Sequence, residues 1–339
     1  MVTVDGQNRP LSLIRSAAER SSGSRSVPTT LRAPAPLVKD EASARVNAGR
    51  VISRRSAVLI VALAQLAIGA AAVFARFALV SGGALAISWA RLSLAAAVVV
   101  ALAAARGVLR PIDRGSESRL LGAGLLLALH FAAWISSLRF ASVAISTLLV
   151  CTTPVWAELY AVARRRRVDA RAAASVGIAL AGVAIVVGAP GPRNAPIGIA
   201  LALIGAVAFA AYLIAVRGTD VRHGTLAITS RTYTYAALAL GAAAIATGDH
   251  LPPASDGRAW GGIFAMAFVS QLFGHTALNA GVRVLGATLV SMFILLEPVI
   301  AAVLAAWLFG ERLGLQTALG ALLVLAAIAI AIRAEGEAA

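Results

Sequence analysis

The chain has 339 residues, 60% of them hydrophobic and 13% charged, with a mean hydropathy of +0.85 and a formal net charge of +15. Soluble domains carry about a quarter charged residues, so this composition excludes one and points to a polytopic membrane protein. Nor is the charge that of a nucleic-acid binder: Lys39 is the only lysine, and the arginines gather in the N-terminal stretch or between apolar runs, with no aromatic-interleaved basic face.

Residues 1–53 are rich in Arg, Ser, Pro and Ala and contain no apolar signal-peptide core. They read as a disordered cytoplasmic tail. A transit peptide and a downstream translation start are the alternatives. Cys151 is the single cysteine, so neither a disulfide framework nor a cysteine metal site is expected. From Arg54 onward, apolar segments follow one another at 56–80, 83–105, 119–139, 141–163, 170–189, 196–217, 225–247, 258–280, 286–309 and 314–333. About 20 apolar residues cross a bilayer as a helix. Backbone groups in hydrocarbon must bond internally, which leaves helices as the structure for segments this continuous. The expected fold is therefore an all-α polytopic membrane protein of ten transmembrane helices.

Arginine placement orients them. With a cytoplasmic N-terminus, the inner loops hold Arg106, Arg110, Arg114 and Arg119, then Arg164 to Arg167 with Arg171, then Arg217, Arg222 and Arg283. The outer loops hold only Arg139, Arg193, Arg258 and Arg312. This bias puts both termini in the cytoplasm, in a cell (inner) membrane.

The chain also repeats itself. LRFASVAISTLLVCTTPVWAELYAVARRRRV aligns without gaps on VRVLGATLVSMFILLEPVIAAVLAAWLFGERL, which sets Arg139 on Arg283, Ser142 on Gly286, Thr153 on Glu297 and Pro154 on Pro298. AISWARLSL and AITSRTYTY form a second matched pair, with Arg91 opposite Arg231. Each repeat holds five helices, an odd number, so the halves at 54–190 and 195–333 run in opposite directions across the membrane. Such an inverted repeat places its binding site near the midplane, between the halves.

These features resemble the EamA family of the drug/metabolite transporter superfamily. The resemblance rests on Glu297-Pro298, on Gly310-Glu311-Arg312, on the terminal helix LQTALGALLVLAAIAIA and on Arg91 in the second helix. The first half departs from the pattern, with Arg164 to Arg167 where a Gly-Glu pair belongs. The resemblance implies a secondary transporter, usually an exporter of small metabolites such as amino acids.

Among candidate site residues, Arg91 and Arg231 match a substrate carboxylate, since a guanidinium binds one bidentately. Structural pairing or snorkelling is the alternative for both. Glu297 stands close to the expected midplane, where a charge is costly, which marks it for a substrate amine or a coupling proton. Its alternative is a kink acid beside Pro298. Glu158 is the reserve proton carrier, unless it reaches the headgroups. His130 and His275 lie in corresponding helices and titrate near neutrality, which suits a proton relay as well as structural bonds. Trp89, Trp134, Trp156, Tyr212, Tyr233 and Tyr235 would wall a cavity or pack as an interface belt, with Trp89 and Tyr212 placed at the substrate. Arg76 reads as a snorkelling anchor.

No metal or cofactor is implied, and the partners are a small-molecule substrate and lipid, with a homodimer left open and no nucleic acid. An intramembrane enzyme is the competing class, but the chain lacks HExxH and any Ser-base pattern. A receptor or scaffold would leave the duplication unexplained.

Overall fold

The computed structural model describes residues 53–165, 170–187, 195–217, 223–275, 277, 293 and 296–338. The N-terminal stretch, most of the junction between the halves, Arg166, Arg167, Arg222, Arg283 and Gly286 lie outside the described residues. All regular structure among those described is helical: α1 Arg54–Gly69, α2 Ala71–Ala78, α3 Ala84–Ala105, α4 Arg114–Ser137, α5 Val143–Val150, α6 Thr153–Arg165, α7 Ala170–Val187, α8 Pro196–Arg217, α9 Thr225–Thr247, α10 Gly257–Phe264, a π-helical segment Ala265–His275, α11 Leu296–Phe309 and α12 Leu315–Ala338.

The helices start where side chains can cap them. Ser53, Asp113, Ser142 and Asp256 each accept a backbone N–H three residues on, at Ser56 (3.1 Å), Ser116 (2.9 Å), Ile145 (3.2 Å) and Ala259 (2.9 Å). Those bonds satisfy donors that a helix start leaves free. Pro154 lies in the first turn of α6, where its missing N–H is not needed.

On α1 and α11 the packing is that of a membrane protein, with small residues turned inward and large ones outward. On α1, Ala57, Val61, Ala64 and Ala67 are buried while Leu59, Leu63 and Leu66 are exposed. On α11, Ala301 and Ala305 are buried while Val303 and Trp307 are exposed. Small residues let helices approach closely, and lipid covers the large apolar ones.

Among the described residues, four helices are long and apolar enough to cross a membrane: Arg55–Ala78, Ala84–Ala105, Arg114–Ser137 and Pro196–Val216. Several sequence segments are interrupted or too polar to join them. The segment 141–163 breaks at Cys151 and Thr152 into α5 and α6, and 258–280 passes from α-helix into the π segment at Ala265. Helix α9 is long enough but carries Ser230, Thr232 and Tyr233, which are buried inside the protein. The third helix also begins five residues earlier than expected, at Arg114, because Asp113 caps it.

Packing between halves joins α4 to α8, α7 to α12, α3 and α4 to α9, α1 to the π segment, α2 to α10, α5 to α8 and α5 to α11. Exchanging the repeats turns the α4–α8 pair into the α1–π pair. Helices α3 and α9, which carry the matched arginines, run antiparallel, since Asp249 just past the end of α9 bonds Leu85 near the start of α3.

Candidate functional site

A cavity of about 970 Å³ lies between the halves. It extends from Arg106, His223, Gly224 and Thr225, at the end of α3 and the start of α9, inward to Arg91, Gln271 and Glu297. Thr153 and Glu297, the residues matched by the repeat, both line it, as do His130, His275 and Tyr212. Seven of the candidate residues singled out by sequence, Arg91, His130, Trp134, Tyr212, Tyr233, His275 and Glu297, thus meet in one place.

Arg91 is 1% exposed and sits at the inner part of the cavity. Its Nη2 donates to Gln271 Oε1 at 2.6 Å, and the Gln271 amide donates to the Tyr233 hydroxyl oxygen. The guanidinium lies over the Phe131 ring, 4.3 Å from its centroid, and 5.8 Å from that of Trp134. The π segment turns Ser270, Gln271 and His275 to the cavity wall. Helices widened in this way recur at functional sites. Gln271 had one available signal in the sequence, an amide inside a long apolar run.

His130 Nδ1 lies 2.9 Å from the carbonyl oxygen of Gly205. A carbonyl only accepts, so Nδ1 carries a hydrogen. The imidazole stacks on Phe209 at 4.6 Å, and Phe209 on Tyr212 at 5.6 Å. Arg91, His130 and His275 all line the same cavity. Glu297 forms a separate pole, with Cys151 also on the cavity wall. The close crossing of α1 and α11 there depends on Gly69, where a Cβ would stand 2.8 Å from Ile300 and 3.3 Å from the Glu297 carbonyl oxygen.

Other expected site residues stand elsewhere. Arg231 is absent from the cavity wall: its Nε donates to Glu117 at 3.2 Å, and Nη1 and Nη2 donate to the carbonyls of Ala227 and Arg110. Tyr235 donates to the same Glu117. Trp89 packs against Gly241 away from the cavity, and the aromatic wall is Phe131, Trp134, Phe209, Tyr212 and Tyr233. Glu158 is on α6, with its side chain outside the described residues. Arg76 is no lipid anchor; it donates to the carbonyls of Leu138 and Ala141 and pairs with Glu311 at 3.7 Å.

The end opposite the open mouth is tied shut. Ser81 donates to Asp256, Arg139 Nη2 donates to the Gly82 carbonyl at 2.7 Å, and Asp249 accepts Leu85 N–H at 2.6 Å. Hydrogen bonds from Ser81 and Ala259 hold the Asp256 carboxyl below the usual carboxylate range. Glu311 accepts Val143 N–H at 2.9 Å. Three second-half carboxylates thereby hold first-half groups at this end.

The sequence profile of the EamA-like transporter family matches the chain twice, over residues 55–188 and 196–333. No curated protein matches it. Among the solved chains that resemble it is one titled only "Crystal structure of protein", 22% identical, with a TM-score of 0.56 over 82% of this chain and 98% of that one. At that identity the likeness concerns the fold.

Proposed function

The chain belongs to the EamA-like transporter family, and we propose that it is a secondary transporter exporting small metabolites such as amino acids or related compounds. Ten membrane-crossing helices in two inverted repeats would expose the central site to one side at a time. The observation that carries this reading is the cavity itself, open at one end and closed at the other by bonds between the repeats.

The positive-inside rule makes the arginine-rich open end cytoplasmic. In this reading the protein sits in the cell membrane with its site facing the cytoplasm, ready to load an exported substrate. Arg91 would hold a substrate carboxylate. Glu297, at the other pole, would meet an amine or carry the coupling proton. Burial makes its charge expensive, which suits a carboxyl that changes protonation during the cycle.

Purified protein in proteoliposomes, given a labelled panel of amino acids and organic acids with and without an imposed pH gradient, tests the proposal. Saturable, gradient-driven flux of at least one compound is the expected result. Fluxes equal to those of protein-free liposomes for the whole panel would refute it.

A further inference from the structure

Arg91 is a buried arginine with no carboxylate paired to it among the described residues. Its guanidinium is permanently cationic and almost fully buried. Its polar contacts are Gln271 Oε1 and the Met266 sulfur at 3.9 Å, both neutral. Among the described residues no carboxylate pairs with it, whereas Arg76 and Arg231 each have one. Gln271, itself held by Tyr233, occupies Nη2 and fixes the orientation of the fork. The Nε–H has no acceptor.

A second buried donor without an acceptor stands beside it. Trp134 Nε1 is unpartnered, and the Trp134 ring lies within 5.8 Å of the guanidinium carbon. Both side chains line the cavity. A tryptophan needed only for packing would serve as well with its N–H bonded to a carbonyl or replaced by carbon, and buried donors are rarely left empty. Two dry donors on adjacent cationic and indole groups make a receptor for an oxyanion. His130 and His275, which share the cavity wall, add no negative charge there.

We propose that the Trp134 indole N–H and the Arg91 Nε–H together bind the two oxygens of a substrate carboxylate, and that Trp134 thereby selects carboxylates over neutral molecules of the same shape. This deepens the transporter reading and rests on it. Neither N–H is open to water in this conformation, so the Trp134 ring turns towards the cavity as the anion arrives. The rest of the ligand lies along Val98, Val99, Leu102 and Leu127, which makes the ligand an amphipathic acid.

The test is the indole N–H resonance of Trp134 in the full chain, labelled with ¹⁵N-tryptophan and held in nanodiscs. The chain has five tryptophans, and Trp→Phe substitutions at the other four assign the signal without touching Trp134. The probes are 3-phenylpropanoate and its neutral counterpart 3-phenylpropan-1-ol. The acid should move the Trp134 resonance saturably and the alcohol should not. Trp134→Phe should weaken binding of the acid roughly tenfold or more, with thermal stability and alcohol binding nearly unchanged. An unmoved Trp134 signal at saturating acid, equal acid affinity in Trp134→Phe, or failure of the wild type to bind the acid would each overturn the site. Carboxylate flux that is unchanged in Trp134→Phe proteoliposomes would also overturn it while leaving the transporter reading intact. A saturable Trp134 response in a protein that transports nothing would uphold the site and remove that reading.

Discussion

The carboxylate of Glu311, at the end of the second repeat's α11, accepts the backbone N–H of Val143, at the start of α5 in the first repeat. Both carboxylate oxygens are used, at 2.9 and 3.2 Å, and Arg76 stands 3.7 Å away. Gly310-Glu311-Arg312 therefore does more than end a helix: its acid caps a helix of the other half and keeps the closed end closed.

Removing that cap should both destabilise the fold and loosen the seal. Glu311→Ala is expected to cost about 1 kcal/mol, the usual loss for a helix cap. The chain supplies its own reporter of the seal, since Cys151 lines the cavity and is its only thiol. An impermeant thiol reagent should reach Cys151 from the open side in inverted vesicles and hardly at all in intact cells. In Glu311→Ala, labelling from the outside should rise several-fold. Equal labelling from both sides in the wild type would contradict the one-sided cavity.

A second tie joins Gly83 to Asp249. Helix α3 has no side-chain cap of its own, and Asp249 supplies one from the far half, accepting Leu85 N–H at 2.6 Å. A Cβ on Gly83 would stand 1.4 Å from Asp249 Oδ1. Gly83→Ala must therefore push that carboxylate off the helix start. Gly83→Ala and Asp249→Ala should each cost roughly 1–2 kcal/mol in thermal unfolding. Combined, they should cost little more than either alone, because both remove one interaction. Additive losses would mean that Gly83 matters for another reason.

Much of this was legible from sequence because the repeat is carried by chemistry that a bilayer makes conspicuous. Arg91, Glu297, His130 and His275 are polar residues in apolar runs, and they do converge on one cavity. What stayed hidden is which partner each polar group takes. Arg91 and Arg231 are equivalent by alignment, yet Glu117 on α4 neutralises one while the other faces neutral groups. No local pattern at residue 231 announces an acid more than a hundred positions away. The π segment was equally hidden, because a run of apolar residues does not tell a π turn from an α turn.

That difference in partners separates the two arginines experimentally. Arg91→Lys should cut carboxylate flux by tenfold or more while leaving the fold intact, since a point charge does not replace the fork. Arg231→Lys should leave substrate selectivity unchanged and show its effect in stability, by at most about 1 kcal/mol, because the pair with Glu117 is partly exposed. The reverse pattern, with selectivity altered only at Arg231, would move the substrate to the inner mouth.

The last prediction concerns the coupling proton. The carboxylates of the closed end and Glu297 are placed in contrasting surroundings. Asp256 belongs to the closed end, and its carboxyl is held below the usual carboxylate range by Ser81 and Ala259. A depressed value means that its contribution is complete above the ordinary carboxylate pKa and is lost only as pH falls through the lower, folded value. Between pH 6 and 8 Asp256 stays charged, so the Ser81–Asp256 tie does not respond to a physiological gradient. The ratio of outside to inside labelling of Cys151, in which the thiolate's own pH dependence cancels, should accordingly be flat over that interval. Glu297 is placed differently, on the cavity wall at the crossing of α1 and α11. Its repeat mate Thr153 cannot titrate, so the two halves contribute unequally. Glu297→Gln should keep substrate exchange and lose accumulation driven by an imposed pH gradient in inverted vesicles. The comparison variants are Glu158→Gln and Asp256→Asn, and gradient-driven uptake should survive in both. If uptake instead persists in Glu297→Gln and disappears in Glu158→Gln, the proton is carried on α6. Persistence in all three would leave Glu297 to the substrate alone.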